Sequence, residues 1–193
     1  MSSFLDEPVR GFLDQLAART PTPGGGGAAA VTGAMAAGLV AMAARFSAAR
    51  LPGAGELADQ ADELRRRLAQ LADMDAQAYA AVLEALRLPR KASQREVQRQ
   101  EALLGAALVP LEIAGIGAQV AVMAARLAET GNPNLRGDAV TGAVLAAASA
   151  RSAACLADIN VELGGLDAEL SQRAARAAEA AGDTAERVGL LSR

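Results

Sequence analysis

LADQADELRRRLAQLADMDAQAYAAV, residues 57–82, is the stretch that decides the fold class. Within it Leu57, Ala61, Leu64, Leu68, Leu71, Asp75, Ala78 and Val82 recur at alternating spacings of four and three. That period lays them along one stripe of an α-helix, the buried seam of a long amphipathic element. Asp62 with Arg66, and Glu63 with Arg67, are expected as i,i+4 ion pairs on its solvent side. Leu88-Pro89-Arg90 ends the helix, because a residue before proline leaves the α region.

Outward from that seam the chain keeps the same grammar. Towards the N-terminus, Thr20-Pro21-Thr22-Pro23-Gly24-Gly25-Gly26-Gly27 separates a short helix over about Phe4–Arg19 from an Ala-rich helix over about Gly26–Arg50. Leu51-Pro52-Gly53-Ala54-Gly55 is the next break. Towards the C-terminus a fourth helix is predicted from near Ser93 to about Thr130, with Pro110 expected to kink it or divide it in two. Gly131-Asn132-Pro133-Asn134 reads as a turn. A fifth helix follows over about Leu135–Leu163, stopped by Gly164-Gly165, and a polar last helix covers about Asp167–Arg187. The expected architecture is all-α: one domain over residues 1–193, a bundle of about six helices.

Composition agrees. Hydrophobic residues make up 52% of the chain but aromatics only 2%, so the core must be built from Ala, Leu, Val and Met. Small side chains allow close helix packing, and strand formers are scarce. The net charge of -3, with no basic block, argues against a nucleic-acid surface. With no histidine and one cysteine, Cys155, the chain can form neither a His/Cys zinc site nor a Ser-His-Asp or Cys-His nucleophile, and no intrachain disulfide. Acid–base chemistry is left to carboxylates, Tyr79, Lys91 or bound water. Thr20–Ala44 carries no charge and is long enough to span a bilayer, but its prolines, glycines and alanines fit a buried central helix better. The acidic N-terminus is followed by no apolar signal core, so a cytoplasmic protein with no membrane partner is expected.

Asp75 stands out because it occupies a seam position. A buried carboxylate costs several kcal/mol unless paired or hydrogen-bonded. It is either a catalytic or substrate-binding group in a cleft, a structural ion pair, or a mark of the seam reaching the surface. Asp73, about 200° around the helix, is expected to face solvent, while Tyr79, one turn on, is placed to hydrogen-bond Asp75. The glycines Gly24, Gly25 and Gly26, with Pro23, precede a helix N-terminus, where backbone N–H groups and the dipole favour an anion. They equally serve close helix packing. Asp138 lies in a helix first turn, favoured there by the dipole alone. Glu112 is a lone charge in an apolar helix, fit for an ion pair or a site. Asn160 lies 22 residues beyond Asp138, about 33 Å along a straight helix.

Taken in order, these segments resemble the cyclodeaminase domain of formiminotransferase-cyclodeaminase and its stand-alone relative, methenyltetrahydrofolate cyclohydrolase. The resemblance covers nearly the whole chain. It runs through Phe12-Leu13, Pro21-Thr22-Pro23-Gly24-Gly25-Gly26, Leu71-Ala72-Asp73-Met74-Asp75-Ala76-Gln77-Ala78-Tyr79 (Tyr79 where the family usually has Phe), Leu88-Pro89, Arg95, Val109-Pro110-Leu111-Glu112, Gly131-Asn132-Pro133-Asn134 with Asp138, and Ile159-Asn160. Departures are Gly27 in place of Ser, Leu156 in place of the first Asn of an Asn-Val-x-Ile-Asn stretch, and the loss of common lysines.

The resemblance implies an all-helical homodimer acting on a one-carbon-substituted tetrahydrofolate in a cleft near the subunit interface. It implies no metal and no cofactor beyond the folate itself. Asp75, with Asp138 second, is implied as the catalytic carboxylate. Pro23, Gly24, Gly25, Gly26, Tyr79, Arg95, Asn132, Asn134 and Asn160 are implied as substrate contacts. The product is 10-formyltetrahydrofolate for a cyclohydrolase, or 5,10-methenyltetrahydrofolate with ammonia for a cyclodeaminase. Leu156 keeps a second reading open, a divergent folate-binding or purely structural helical dimer without catalysis.

Overall fold

The computed structural model of the chain describes residues 3–89 and 94–190. Lys91, and the predicted helix start at Ser93, lie outside them. A 3-10 turn at Phe4–Asp6 leads into α1 (Val9–Ala17), α2 (Gly25–Phe46), α3 (Ala54–Arg87), α4 (Arg95–Thr130), a second 3-10 turn at Pro133–Leu135, α5 (Arg136–Gly164) and α6 (Ala168–Leu190). Among the described residues there is no strand.

α2, α3, α4 and α5 form the body of the bundle, with α6 laid across α4 and α5. The interior is alanine to an unusual degree, with Ala30, Ala37, Ala61, Ala114, Ala124, Ala146 and Ala153 all fully buried, and Leu68, Leu71, Ile113 and Leu127 among its largest side chains. Short side chains let backbones meet. A Cβ on Gly117 of α4 would lie 3.0 Å from both the Ala146 carbonyl oxygen and Ala150 Cβ of α5. One on Gly33 of α2 would lie 2.7 Å from Ser149 Oγ of α5. Ser149 is itself buried and donates to the Ala29 carbonyl at 2.7 Å. α5 is therefore wedged against α2 on one side and α4 on the other. It ends at Gly165, whose φ of 57° lets Gly165 N–H and Leu166 N–H return to the Glu162 and Val161 carbonyls.

Five expectations change. α4 is not divided at Pro110 but runs unbroken through it. α1 is shorter than predicted and preceded by a separate 3-10 turn. Asp62 pairs with Arg45 (2.5 Å) and Arg65 (3.2 Å) rather than Arg66. Arg67 pairs with Glu112 of α4 in a two-pronged bridge at 2.6 and 2.7 Å, not with Glu63. Both charges reach a neighbouring helix, Asp62 to Arg45 of α2 and Arg67 to Glu112 of α4, while Asp62 also keeps Arg65 one turn on in α3. Asp73 is also half-buried rather than facing solvent, since its Oδ1 accepts from Phe4 N–H at 2.9 Å and ties the N-terminal turn to α3.

Three helical stretches, Gly25–Phe46, Arg95–Thr130 and Pro133–Gly164, are long and apolar enough to cross a membrane by length and composition. α2 packs against α3, α5 and α4, the packing of a bundle helix.

Candidate active site

The N-terminus of α2 meets the middle of α3 through backbone and carboxylate. Gly24 caps α2, and the N–H groups of its first turn have no acceptor within the helix. One of them, on Gly27, donates to Asp75 Oδ2 at 3.1 Å. The approach is possible because residue 26 has no side chain: a Cβ there would sit 1.9 Å from Asp75 Oδ1. The close helix packing that is one of the two readings of the glycine run is present, and the N–H that is engaged meets a carboxylate of the protein itself. The run brings two helices together, and it turns one backbone N–H, that of Gly27, on the Asp75 carboxylate.

Among the described residues Asp75 has no ion-pair partner, and it does not lie at the surface. It is largely enclosed, and burial pushes its pKa above the ordinary carboxylate value, opposed in part by the Gly27 N–H. Desolvation dominates because no cation among the described residues neutralises the charge. The carboxylate borders a cavity of about 360 Å³ lined by Pro21, Thr22, Gly24, Gly25, Gly26, Asp75, Tyr79, Ala106, Leu156, Ile159, Asn160 and Leu163. A cavity of this size suits part of a small organic ligand. Five parts of the chain contribute: the loop before α2, the α2 N-terminus, α3, and the two helices of the antiparallel pair α4–α5. That last pair is registered by Asn160 Nδ2 donating to the Ala106 carbonyl (2.8 Å) and Arg99 donating to the Leu163 carbonyl (2.9 Å).

The structure brings Gly24, Gly25, Gly26, Asp75, Tyr79 and Asn160 around one cavity. Pro23 is buried beside it, its Cβ 3.5 Å from where a Gly27 Cβ would stand, after a cis Thr22–Pro23 peptide. Tyr79 shares the cavity but makes no hydrogen bond to Asp75; the carboxylate's partner is Gly27. Arg95 does not line the cavity. It opens α4 about 16 Å of helix away from Ala106, with its Nε buried and without a partner among the described residues.

The Asn132–Asp138 group sits at the opposite end of α5. Asn132 is occupied with the turn: its N–H donates to Ser47 Oγ (2.8 Å), its Nδ2 to the Phe46 carbonyl (3.2 Å), and its Oδ1 accepts from Asn134 N–H (3.0 Å). Within one chain these residues and Asp138 cannot share a small ligand with Asp75.

Ala106 and Leu163 were not named from the sequence, and Thr22 and Ile159 entered only as parts of the motifs that carry the resemblance, not as candidate site residues. Ile159 and Leu163 had a readable signal, since they flank Asn160 at i,i+4 spacing and would be exposed on α5 unless something covers them. Leu156 lines the cavity, so its departure from the family pattern makes the wall more apolar where a ligand would lie.

The family model of formiminotransferase-cyclodeaminase matches residues 8–180. The chain belongs to this family. Among its relatives is the methenyltetrahydrofolate cyclohydrolase of Methylorubrum extorquens, 37% identical over 172 residues, which cover 84% of this chain and 82% of that one. The mouse formimidoyltransferase-cyclodeaminase is 34% identical over 145 residues, 67% of this chain but only 26% of the mouse protein. The crystal structure of formiminotetrahydrofolate cyclodeaminase from Thermotoga maritima superposes with a TM-score of 0.84 at 27% identity, covering 94% of this chain and 93% of that one. The Thermotoga protein thus shares this helical bundle, and the names of the relatives record different one-carbon reactions.

Proposed function

We propose that the chain is a tetrahydrofolate one-carbon enzyme, a methenyltetrahydrofolate cyclohydrolase, with Asp75 as its proton-transfer group. The observation that carries this is the desolvated Asp75 carboxylate, held by Gly27 N–H at the edge of a cavity. The cyclohydrolase relative is matched over 82% of its length, the mouse formimidoyltransferase-cyclodeaminase over only 26%. The chain likewise spans nearly all of a cyclodeaminase, so that reaction is the second reading.

Hydrolysis of 5,10-methenyltetrahydrofolate begins at a carbon shared by two nitrogens and carrying a positive charge. A buried carboxylate stabilises that cation in the low-dielectric cavity. Asp75 takes a proton from the attacking water as the C–O bond forms. The neutral tetrahedral adduct then breaks its bond to N5, and Asp75 returns the proton to N5. The remaining hydroxyl proton leaves to solvent, giving 10-formyltetrahydrofolate. A carboxyl with a raised pKa serves both directions of transfer better than an ordinary one. The cyclodeaminase version uses the same group: N10 attacks the formimino carbon, Asp75 takes its proton and delivers it to the departing ammonia. Neither route oxidises or reduces anything, so no redox cofactor enters the proposal.

The folate tail carries glutamate carboxylates, which favours this cavity over the larger open groove of about 820 Å³ between α5 and α6. That groove presents Asp158, Glu179, Asp183 and Glu186 against Arg151 alone, the wrong sign for an anionic ligand. Arg95 is the proposed counter-charge for the tail, and the enzyme is proposed to be a cytoplasmic homodimer. The dimer surface would be the groove where α2 meets α5, lined by Ala28, Thr32, Ala148, Ser152 and Leu156 and sharing Gly25 and Leu156 with the site cavity. Such a dimer could bring one copy's Asp138 end towards the other's cavity.

The test is to follow loss of the near-UV absorbance of 5,10-methenyltetrahydrofolate against its spontaneous rate. Acceleration is expected, and Asp75→Asn should reduce it at least about a hundredfold, the scale of one general acid–base group. Wild-type turnover in Asp75→Asn would remove the assignment of Asp75. No acceleration by the native chain, with ammonia released from 5-formiminotetrahydrofolate, would select the cyclodeaminase.

A further inference from the structure

Proline inside a helix withholds an N–H from the carbonyl four residues earlier and costs about 3 kcal/mol relative to alanine. Pro110 sits fully buried within α4, so the carbonyl it leaves without its helical donor is that of Ala106. This is the carbonyl to which Asn160 Nδ2 donates at 2.8 Å across the α4–α5 contact. Both Ala106 and Asn160 line the cavity beside Asp75. An amide side chain is planar, with oxygen and nitrogen on opposite prongs. Fixing Nδ2 on α4 turns Oδ1 away from α4. No donor among the described residues reaches Oδ1.

We propose that Pro110 is a positioning residue: the carbonyl it frees locks the Asn160 amide in one of its two orientations, so that Oδ1 is offered to the substrate as an acceptor for an N–H. Resting on the folate reading above, the donor is the reduced pteridine, which carries an exocyclic amino group and ring N–H groups. An ordinary residue at 110 would supply the missing helical N–H, compete for the Ala106 carbonyl and let the Asn160 amide rotate. A proline that merely fills the core would have no effect on that amide.

The chain has three asparagines, Asn132, Asn134 and Asn160, so selective ¹⁵N-asparagine labelling yields few side-chain amide signals. The Asn160 pair is identified by its loss in Asn160→Ala. It should be protected from solvent exchange in the native chain and lose that protection in Pro110→Ala. Pro110→Val, which keeps more of the buried volume, is the parallel variant should the alanine fail to fold. With 5,10-methenyltetrahydrofolate, KM should rise roughly tenfold in Asn160→Ala, the scale of one hydrogen bond. It should rise by a comparable factor in the Pro110 variant, with kcat changed less, and the double variant should be no worse than Asn160→Ala alone. An Asn160 signal unaltered by replacing Pro110, or KM effects that multiply in the double variant, would overturn the proposal. Absence of folate turnover and binding by the native chain is failure of the folate reading instead, and the amide signal, which needs no substrate, still decides whether Pro110 sets Asn160.

Discussion

Gly26 and Gly27 are adjacent and chemically identical, and Gly27 donates its N–H to Asp75, yet only at position 26 would a side chain collide with that carboxylate. A Cβ at 26 would overlap Asp75 Oδ1 at 1.9 Å, whereas one at 27 would meet Pro23 Cβ at 3.5 Å and the Ala72 carbonyl at 3.9 Å, ordinary contacts. Gly26→Ala must therefore displace Asp75 and should cut turnover by about a hundredfold or more, the loss expected when a proton-transfer group is moved. Gly27→Ala keeps its N–H and its space. It should lose far less activity and should gain up to about 1 kcal/mol in urea unfolding from the better helix former. Equal losses of turnover in the two variants would mean that Asp75 is not held by this contact. The same carboxylate makes a pH prediction. Its ordinary pKa is 3.8, and folding raises it. Between those values the folded state binds more protons than the unfolded one, so this group's contribution to stability falls as pH rises through the window. Asp75→Asn removes that dependence. The melting temperature of Asp75→Asn minus that of the native chain should grow from about pH 4 upward and level off above the folded pKa. A difference that does not change with pH would show that the carboxylate is not desolvated. Asp75 was legible because it broke a seam otherwise made of Leu, Ala and Val; its partner was not, because a backbone N–H has no letter of its own.

At the scale of elements, the close approach of α4 to α5 separates two glycines of one helix. A methyl group added at Gly117 would stand 3.0 Å from the Ala146 carbonyl oxygen and from Ala150 Cβ, while one added at Gly115 would have nothing within 4 Å. Gly117→Ala should destabilise by about 1–3 kcal/mol through overpacking, and Gly115→Ala should stabilise by about 0.5–1 kcal/mol through helix propensity. Urea midpoints compared at equal protein concentration check the contrast; a neutral Gly117→Ala would mean that the two backbones can separate freely. Helix positions were readable from apolar period and from the Pro/Gly breaks, which act within a few residues. Ion pairs were not. Arg67 reaches Glu112, 45 positions away in sequence, and Asp62 reaches Arg45, because helix packing sets which charges meet. Pro110 was read as a kink or a break by a rule that treats a helix as isolated. In the bundle a neighbouring asparagine satisfies the carbonyl it frees, and α4 continues.

For the whole molecule, the question is what covers the outer faces of α2 and α5. From Thr20 to Ala44 there is no charge, and α2 leaves Met35 54% and Phe46 63% exposed while α5 leaves Val144 51% exposed. The groove between these helices is lined by small side chains and opens beside the site cavity. A second copy of the chain suits such a surface: it offers the same uncharged face, and a two-fold interface is self-complementary. It also gives Asp138, which lies about 33 Å along α5 from Asn160, and the neighbouring Asn132 and Asn134 a route towards the Asp75 cavity that one chain alone does not provide. Sedimentation velocity of the native chain should therefore show a dimer. Met35→Glu should convert it to a monomer, since a charge would be buried in the apolar face. As a surface change in the isolated chain it should alter monomer stability by no more than about 0.5 kcal/mol. Turnover measured on that monomer then divides the two roles of the far end of α5. Loss of activity with the helical circular dichroism retained would mean that the site needs the partner's residues. Full activity in the monomer would make Asn132, Asn134 and Asp138 parts of a turn and a helix start and nothing more. A native chain that sediments as a monomer, or a Met35→Glu variant that stays dimeric, would move the interface away from this face.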